Sequence, residues 1–313
     1  MRNGTNGILG AIRLAAWRMM AKGLVPARWI EPDLPAVEAR SARTGRLAVE
    51  IVSHCWNYSH LLVYQLSSLV RHPPRECAVT MTVLYSDSDV ETVRVLEYFA
   101  SLEVENVTWQ WREFPPEQLF RRGIGRNAAA LASTADWVWF TDCDVLFEAG
   151  CLDTLAAALQ GRRDALVYPL EEHCTPLLPD DAPLLAAGRN APAVLAIGDM
   201  PLQVRPRKHA TGPLQIAHGD ICRAVGYCRA IPLYQAPSPV WTKAHEDGAY
   251  RWLVRSKGVG LPIPGVVRIR HLSKGRYTGS EFNTRLRARI RESQMRLREP
   301  EALAAVRTRD ELK

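Results

Sequence analysis

Two aspartates close a run of aromatic and branched side chains in the segment WVWFTDCD, residues 137 to 144. In a strand that continues to this point, Asp142 and Asp144 leave the same face while Cys143 turns away. Two carboxylates at that spacing repel each other unless a cation lies between them. Mg²⁺ typically binds one or two carboxylates, and phosphate oxygens and water complete its coordination. The spacing therefore predicts a Mn²⁺ or Mg²⁺ site that faces a diphosphate.

Short apolar runs and helical segments alternate around this motif. The predicted strands are LAVEIVS (47–53), AVTMTVLYS (78–86), VTWQWREF (107–114) and WVWFTD (137–142). The predicted helices are YQLSSLVRH (64–72), the segment that follows a capping box of Ser88 and Glu91, and RNAAALASTA (126–135). This alternation predicts an α/β fold with a mostly parallel sheet and helices on both faces. Ligands bind such sheets beyond the carboxyl ends of the strands, where the two aspartates fall.

The composition is that of a globular protein. The chain has 313 residues, enough for one large α/β domain or two smaller ones, with 47% hydrophobic and 23% charged residues. Its seven cysteines include no CxxC pair, which indicates reduced thiols rather than a disulfide framework or a zinc site. Residues 171–213 hold seven prolines and predict a long irregular segment that covers a substrate.

The two ends of the chain are basic. The net charge is +7, and residues 265–313 alone carry 13 Lys and Arg against 6 Asp and Glu. The apolar N-terminal stretch 7–25 is interrupted by Arg13, Arg18 and Lys22, so neither a spanning helix nor a secretory signal is expected. Two readings of this stretch stay open, a helix packed on the domain and an amphipathic helix at a membrane surface. We expect a cytoplasmic protein. Whether its basic ends also contact the inner face of the membrane stays open.

The order of several motifs resembles one enzyme family. These motifs are IVSHCWNYSH (51–60), the acidic turn YSDSD (85–89), the loop RRGIGRNAAAL (121–131) and TDCDVLF (141–147). In this order they resemble the nucleotide-binding half of GT-A fold glycosyltransferases of the family two type, over roughly residues 47–275. The resemblance implies a GT-A, Rossmann-like, mostly parallel sheet flanked by helices, with a smaller acceptor-side subregion.

The resemblance also divides the chain. It implies a catalytic domain over residues 47–275, and charge and apolar spacing predict a basic, helical N-terminal extension over residues 1–46. Within that domain, residues 47–150 would form the nucleotide-binding half and residues 151–275 the acceptor half. A basic helical tail would follow over residues 276–313.

Residue by residue, the resemblance implies contacts to the donor. Asp87 matches the position that contacts the nucleotide base, with Asp89 left open as an alternative. Arg126 and Asn127 match the pair that positions the nucleotide, although a surface arginine at a helix start is the simpler reading of Arg126.

The predicted metal ligands follow from the same resemblance. Asp142 would lie near the ribose and the metal, and Asp144 would bind the metal directly. His271 would be a third metal ligand, or else a hydrogen-bonded edge residue. Lys274 and Arg276 would sit where a basic segment closes over the diphosphate.

The acceptor side is implied by WTKAHEDGAYRWL (241–253), which resembles the W-x-x-E-D segment of inverting galactosyl- and N-acetylgalactosaminyltransferases. Asp247 is the predicted base and Glu246 the predicted acceptor contact, and the two roles could be exchanged. The alternative is that both carboxylates only stabilise a helix N-terminus. His245 is a further metal-ligand candidate, and Asp220 is a further candidate for the sugar pocket.

Together these residues predict a metal-dependent, inverting glycosyltransferase. The donor would be a nucleotide diphosphate sugar, with a UDP-sugar favoured, and the acceptor a carbohydrate or lipid-linked hydroxyl; nucleic acid is not an expected partner. A sugar nucleotidyltransferase is one alternative, but HCWNYSHLL (54–62) lacks the glycine-rich basic signature expected after its first strand. A non-catalytic protein that binds through its basic tail is the other.

Overall fold

A computed structural model describes residues 15, 17, 19–241 and 245–272. Its main sheet has seven strands in the order β10-β6-β9-β4-β1-β2-β3. These strands are β1 (Leu47–His54), β2 (Cys77–Tyr85), β3 (Val107–Glu113), β4 (Trp137–Phe140), β6 (Leu166–Pro169), β9 (Gln215–His218) and β10 (Val259–Leu261). Neighbouring strands are parallel except that β9 runs antiparallel to both β4 and β6. The predicted α/β fold with a mostly parallel, helix-flanked sheet is confirmed.

A second, four-stranded sheet has the order β5-β11-β7-β8. Its strands are β5 (Val145–Phe147), β7 (Glu171–Leu178), β8 (Gln203–Pro206) and β11 (Val266–His271). The expectation of an irregular segment over residues 171–213 is therefore wrong in part, because β7 and β8 pair as antiparallel strands within it. The prolines fall mostly in the connections, where no ladder hydrogen bond is lost.

Helices connect the strands and cover both faces of the main sheet. They are α1 (Ser59–Arg71), α2 (Val90–Ala100), α3 (Pro116–Leu119), α4 (Arg122–Ala132), α5 (Cys151–Leu159), α6 (Pro183–Gly188), α7 (Gly219–Val225), α8 (Pro232–Gln235) and α9 (Glu246–Leu253). The N-cap of α2 is Asp89 rather than Ser88, since the Asp89 carboxylate accepts from the Thr92 amide at 3.3 Å. None of the described helices has the length and apolar character that a membrane span requires.

Alternating side chains of the central strands form two apolar layers. Ile51 and Trp139 belong to the layer on one face of the sheet, and Val52 and Phe140 belong to the layer on the other. This division follows from the two-residue period of a strand, and burial on both faces explains the almost continuous apolar run WVWF. All seven cysteines are buried and none forms a disulfide, which agrees with the expectation of reduced thiols.

The ends of the chain are described only in part. Positions 15, 17 and 19 are helical, and they lead into a π-helical turn, Met20–Leu24, and a short 3₁₀ turn, Ala27–Trp29. The predicted basic tail, residues 276–313, lies outside the described residues. The division into nucleotide and acceptor halves stays a prediction.

The direction of β9 decides where Asp220 lies. Because β9 is antiparallel to β4, His218 pairs with Trp137 at the start of β4 and Gln215 pairs with Phe140 at its end. Asp220 follows β9 and therefore lies at the opposite edge of the sheet from Asp142, outside the predicted sugar pocket. Burial would raise the pKa of the Asp220 carboxyl, but hydrogen bonds from Ser41 and Arg223 hold it at about 2.

Asp220→Asn should lower stability without lowering activity. A carboxyl whose pKa is depressed by folding stabilises the native state above its unfolded pKa, near 3.8, and this contribution disappears as the pH falls through about 2. We expect a loss of about 2 kcal/mol at pH 7 and little difference at pH 2, measured by urea unfolding. The exposed Glu97→Gln variant should change stability by less than about 0.5 kcal/mol at either pH. An equal loss at both pH values would contradict this account.

Candidate active site

Asp142 and Asp144 lie at the carboxyl edge of the parallel strands, in the turn between β4 and β5. Strand β4 ends at Phe140, so the expectation that both aspartates belong to a continuing strand is wrong. Both side chains are nevertheless largely buried, and Cys143 between them packs into the apolar core as expected. The turn directs the two carboxylates to different arginines.

Arg126 forms a buried ion pair with Asp142. Its guanidinium is fully buried and donates to the Asp142 carboxylate at 3.3 Å, to the Thr141 carbonyl at 3.0 Å and to the Tyr227 hydroxyl at 3.1 Å. The Tyr227 ring also lies 5.4 Å from the guanidinium carbon. The reading of Arg126 as a surface residue is therefore wrong. The Asp142 carboxylate balances its charge, so Arg126 positions Asp142. Its predicted role in positioning the nucleotide stays a prediction.

Arg122 connects the aspartate motif with the start of α9. Its Nη1 donates to Asp142 Oδ1 at 2.9 Å, and its Nε donates to Glu246 Oε1 at 2.7 Å. Burial opposes the charge of this guanidinium, but the carboxylates of Glu246 and Asp142 raise its pKa above the ordinary arginine value. Arg122 is therefore a permanent cation that holds two acids together.

Asp144 has one paired and one unpaired oxygen. Its Oδ2 accepts from Arg268 Nε at 3.3 Å, whereas Oδ1 is buried and has no hydrogen-bond partner among the described residues. A buried carboxylate oxygen without a donor is costly, which makes it a good position for a cation. The donor chemistry also fits, because Mn²⁺ and Mg²⁺ prefer carboxylate oxygens with phosphate and water as further ligands. Asp142 and Asp144 therefore suit the predicted metal.

A second acid and arginine cluster supports Asp144 from the smaller sheet. Arg268 of β11 lies 3.7 Å from the fully buried Glu172 of β7, and Arg207 also pairs with Glu172. Burial lowers the pKa of Arg268, but the carboxylates of Asp144 and Asp142 raise it by more. Asp144 is thus held by a charged cluster that is itself paired.

Glu246 and Asp247 differ in their surroundings. Glu246 is buried and paired with Arg122, and its Oε2 has no hydrogen-bond partner among the described residues. Asp247 is more accessible, with 29% of its side chain exposed, and lies 3.5 Å from Arg251 one helical turn away. Asp247 is therefore the acid that a substrate can reach more easily.

A chain of hydrogen bonds runs beneath the site from Arg126 to the backbone of Asp247. Arg126 donates to the Tyr227 hydroxyl, which donates to Gln215 Oε1 at 2.9 Å. Gln215 Nε2 in turn donates to the Asp247 carbonyl at 3.0 Å. Buried hydrogen-bond networks of this kind favour a unique geometry. The chain holds the start of α9 in register with the aspartate motif.

The residues predicted to contact the nucleotide lie in different surroundings. Asp87 is exposed beyond the end of β2, where its carboxylate accepts from the hydroxyls of Ser86 and Ser88. Asp89 is buried as the N-cap of α2 and also accepts from the Asn57 amide at 2.6 Å. Asn127 accepts from the Tyr227 amide at 3.0 Å. The base contact of Asp87 and the nucleotide contact of Asn127 stay predictions.

The remaining metal candidates lie on other elements of the fold. His271 is buried at the end of β11, where its ring lies 5.1 Å from Tyr58 and 6.4 Å from His60. Within residues 19–241 and 245–272, no three His, Cys, Asp or Glu side chains are arranged to hold a metal ion. The role of His271 as third ligand stays a prediction, and Lys274 and Arg276 lie outside the described residues. His245 precedes α9 in a left-handed conformation, with φ of 58°.

Aromatic side chains gather beyond the end of β1. Trp241 lies edge-on to His54, with ring centres 5.1 Å apart, and 6.2 Å from Phe120. Trp56 lies edge-on to Phe120, with ring centres 4.9 Å apart. Such surfaces bind the flat faces of bases and sugars. Sequence reasoning missed this cluster because its members are distant along the chain.

Several charged and polar site residues were also missed. They are Arg122, Glu172, Arg207, Gln215, Tyr227 and Arg268. Arg122 was adjacent to a predicted motif, RRGIGRN, and could have been weighed beside Arg126. Arg268 alternates with apolar residues in VVRIRH, a pattern that indicates one polar face of a strand. The others carried no signal beyond their residue types.

Neither a protein-family model nor a curated protein sequence matches this chain. Among solved structures, residues 1–349 of TarS from S. aureus align at 14% identity and a TM-score of 0.37, over 74% of this chain and 59% of that one. The mannosyltransferase PcManGT from Pyrobaculum calidifontis, solved in complex with GDP-Man and Mn²⁺, aligns at 18% identity and a TM-score of 0.41, over 85% of this chain and 70% of that one. This chain thus spans less than two thirds of the TarS segment. Both likenesses are too distant to assign an activity, so the chemistry follows from the side chains.

Removing Arg122 should destabilise the protein chiefly through Glu246. Arg122→Met leaves a buried carboxylate without its partner, which typically costs about 3–5 kcal/mol. Arg122→Met combined with Glu246→Gln should recover most of that loss, because no buried charge is then unpaired. Urea unfolding of both single variants and the double variant measures the coupling.

The exposed pair of Glu91 and Arg94 is the matched control, and its coupling should stay below about 1 kcal/mol. If the losses of Arg122→Met and Glu246→Gln simply add, the two side chains are not coupled as described.

Proposed function

We propose that this protein is a metal-dependent, inverting glycosyltransferase of the GT-A type, which transfers a sugar from a nucleotide diphosphate sugar to an acceptor hydroxyl. The observation that carries the proposal is the contact of one arginine, Arg122, with both Asp142 and Glu246. This contact brings acids suited to a donor metal and acids suited to an acceptor hydroxyl to one edge of the sheet. A transfer reaction needs both functions within reach of the same sugar.

The charge balance of the site supports a metal ion on the donor side. Four carboxylates and four arginines form the clusters at the sheet edge, so their formal charges cancel; they are Asp142, Asp144, Glu172, Glu246, Arg122, Arg126, Arg207 and Arg268. A diphosphate added to a neutral site needs further positive charge. Asp142 and Asp144 would hold Mn²⁺ or Mg²⁺, which supplies that charge and stabilises the departing diphosphate. Arg122 and Arg268, which contact these two aspartates, would supply further positive charge to the phosphate oxygens.

Four further donor roles are part of the proposal. Asp87 would contact the base, Asn127 would help to position the nucleotide, and His271 would complete the metal ligands. Lys274 would close over the diphosphate. The preference for a UDP-sugar rests on the family resemblance, so a donor screen should include UDP-, GDP- and other nucleotide sugars.

The acceptor side assigns Asp247 as the base. In a single displacement, the acceptor oxygen attacks the anomeric carbon and passes its proton to Asp247, while the bond from that carbon to the diphosphate breaks. Asp247 is accessible, and the hydrogen bond from Gln215 to its carbonyl fixes the backbone that carries it. Glu246 is already paired with Arg122, which suits it to orient the acceptor. The acceptor would be a carbohydrate or a lipid-linked hydroxyl.

Asp144→Ala should abolish Mn²⁺-dependent donor hydrolysis and weaken donor binding. Lewis-acid stabilisation of the leaving group is worth several kcal/mol, so the rate should fall by about 10³-fold or more. The measurement is release of nucleoside diphosphate from a panel of nucleotide sugars, with and without Mn²⁺. Asp164→Ala, which removes a carboxylate paired with Arg162 away from the site, is the control and should keep the wild-type rate. Wild-type turnover by Asp144→Ala would refute the metal role.

Asp247→Asn should keep donor affinity and lose about 10²-fold or more of the transfer rate, because only the proton acceptor is removed. Glu246→Gln should act mainly by raising the acceptor KM. Steady-state transfer and a separate donor titration distinguish the two effects. A large rate loss in Glu246→Gln with a normal rate in Asp247→Asn would exchange the two roles.

A further inference from the structure

A cavity of about 580 Å³ lies on α9 beyond the candidate base. One wall is the N-terminal segment, which contributes Ala21 and Gly23, and the opposite wall is α9 with the residues that follow it. The segment is fixed to the helix because Trp252 Nε1 donates to the Val25 carbonyl at 3.0 Å. The cavity is therefore formed by parts of the chain that are far apart in sequence.

The charge of this cavity is positive. Arg251, Arg255 and Lys257 line it, and no carboxylate is among its described lining residues. Arg255 and Lys257 are exposed side chains. Arg255 also has a left-handed backbone, with φ of 54°, which is uncommon for a residue other than glycine. Its amide donates to the Trp252 carbonyl at 3.0 Å and its guanidinium to the Glu31 carbonyl at 2.5 Å, so these contacts hold the conformation.

The remainder of the cavity is apolar, and so is the surface beside it. Tyr234, Ala249 and Trp252 line the interior. On the segment that forms the outer wall, three large apolar side chains are exposed: Met19 by 50%, Leu24 by 68% and Trp29 by 69%. Arg28 is exposed on the same segment. Exposed apolar residues beside cations are typical of a surface that lies in a membrane interface.

The cavity is also next to the candidate base. Gly248 and Arg251 line it from α9, and Arg251 Nη1 lies 3.5 Å from Asp247 Oδ2. A molecule in the cavity would therefore lie within about one helical turn of Asp247. This position is the one expected for an acceptor, not for the donor held at Asp142.

From these four observations, we infer that the cavity binds the phosphate headgroup of a membrane lipid, with Leu24 and Trp29 at the level of the lipid interface. Resting on the proposed function, the inference identifies the acceptor class as a phosphate-bearing, lipid-linked hydroxyl that reaches Asp247 from this cavity. Arg255 and Lys257 supply the charge that recognises the phosphate.

Vesicle flotation of the full chain, without donor, tests the inference. Phosphatidylcholine vesicles that contain phosphatidylglycerol should bind the protein, and pure phosphatidylcholine vesicles should bind it much more weakly. Lys257→Gln and Arg255→Gln should each reduce affinity for the anionic vesicles by about fivefold. Arg94→Gln removes the same charge from α2 and should reduce affinity by less than about twofold, because its effect is long-range and screened.

A second pair of variants tests the contribution of the exposed apolar side chains to vesicle binding. Leu24→Ser combined with Trp29→Ser should weaken binding to anionic vesicles, whereas Val204→Ser, at another exposed apolar position on β8, should not. A titration with glycerol phosphate separates the two possible sources of phosphate. Binding of glycerol phosphate that depends on Lys257, without vesicle binding, would replace the lipid by a soluble ligand and overturn the inference.

Two further outcomes are decisive. If Lys257→Gln and Arg94→Gln weaken flotation equally, the basic surface as a whole binds the membrane and the cavity has no special part. If the protein hydrolyses a nucleotide sugar but does not float, the transferase proposal stands and the lipid inference fails. If it floats through Lys257 but hydrolyses no nucleotide sugar, the lipid site stands and the transferase proposal fails.

Discussion

Arg122 is the contact on which the candidate site depends, because it is shared by acids from two distant parts of the chain. Asp142 follows a central strand and Glu246 begins a helix in the last part of the described chain. Each carboxylate would be costly to bury alone, and one guanidinium satisfies both. The pair therefore forms only when α9 sits at the carboxyl edge of the sheet. Asp247 is positioned as the next residue of that helix.

The two clusters around the aspartates are supported by different sheets. Asp142 is held against the main sheet by Arg126, whose guanidinium reaches it through the buried face of α4. Asp144 is held by Arg268 of the smaller sheet. The orientation of the two carboxylates thus depends on how the sheets meet. Fixed charges of this kind stabilise a reacting group without reorganising during the reaction, which is the electrostatic advantage that an enclosed site offers.

Helix α9 connects three parts of the proposed activity. Its first residues contact the arginine of the donor side, its Arg251 pairs with the candidate base, and its Trp252 binds the N-terminal segment. A lipid-bound acceptor would reach the base along this helix from the cavity. Helix α9 would then set both the position of the protein at a membrane and the access of the acceptor to the base, since Gly248 and Arg251 beside Asp247 line the cavity.

The amino-acid sequence by itself determined the α/β class, the order of the central strands along the chain and the location of the aspartate motif at a strand end. These properties depend on local periodicity and on the rule that parallel strands place their carboxyl ends together. Only the tertiary structure decided that Arg126 is buried, that Asp220 lies at the far edge and that Arg122 joins Asp142 to Glu246. Strand direction and ion pairing between distant segments decide these features, and neither leaves a periodic signal in the sequence, because each depends on which surfaces meet after the chain has folded.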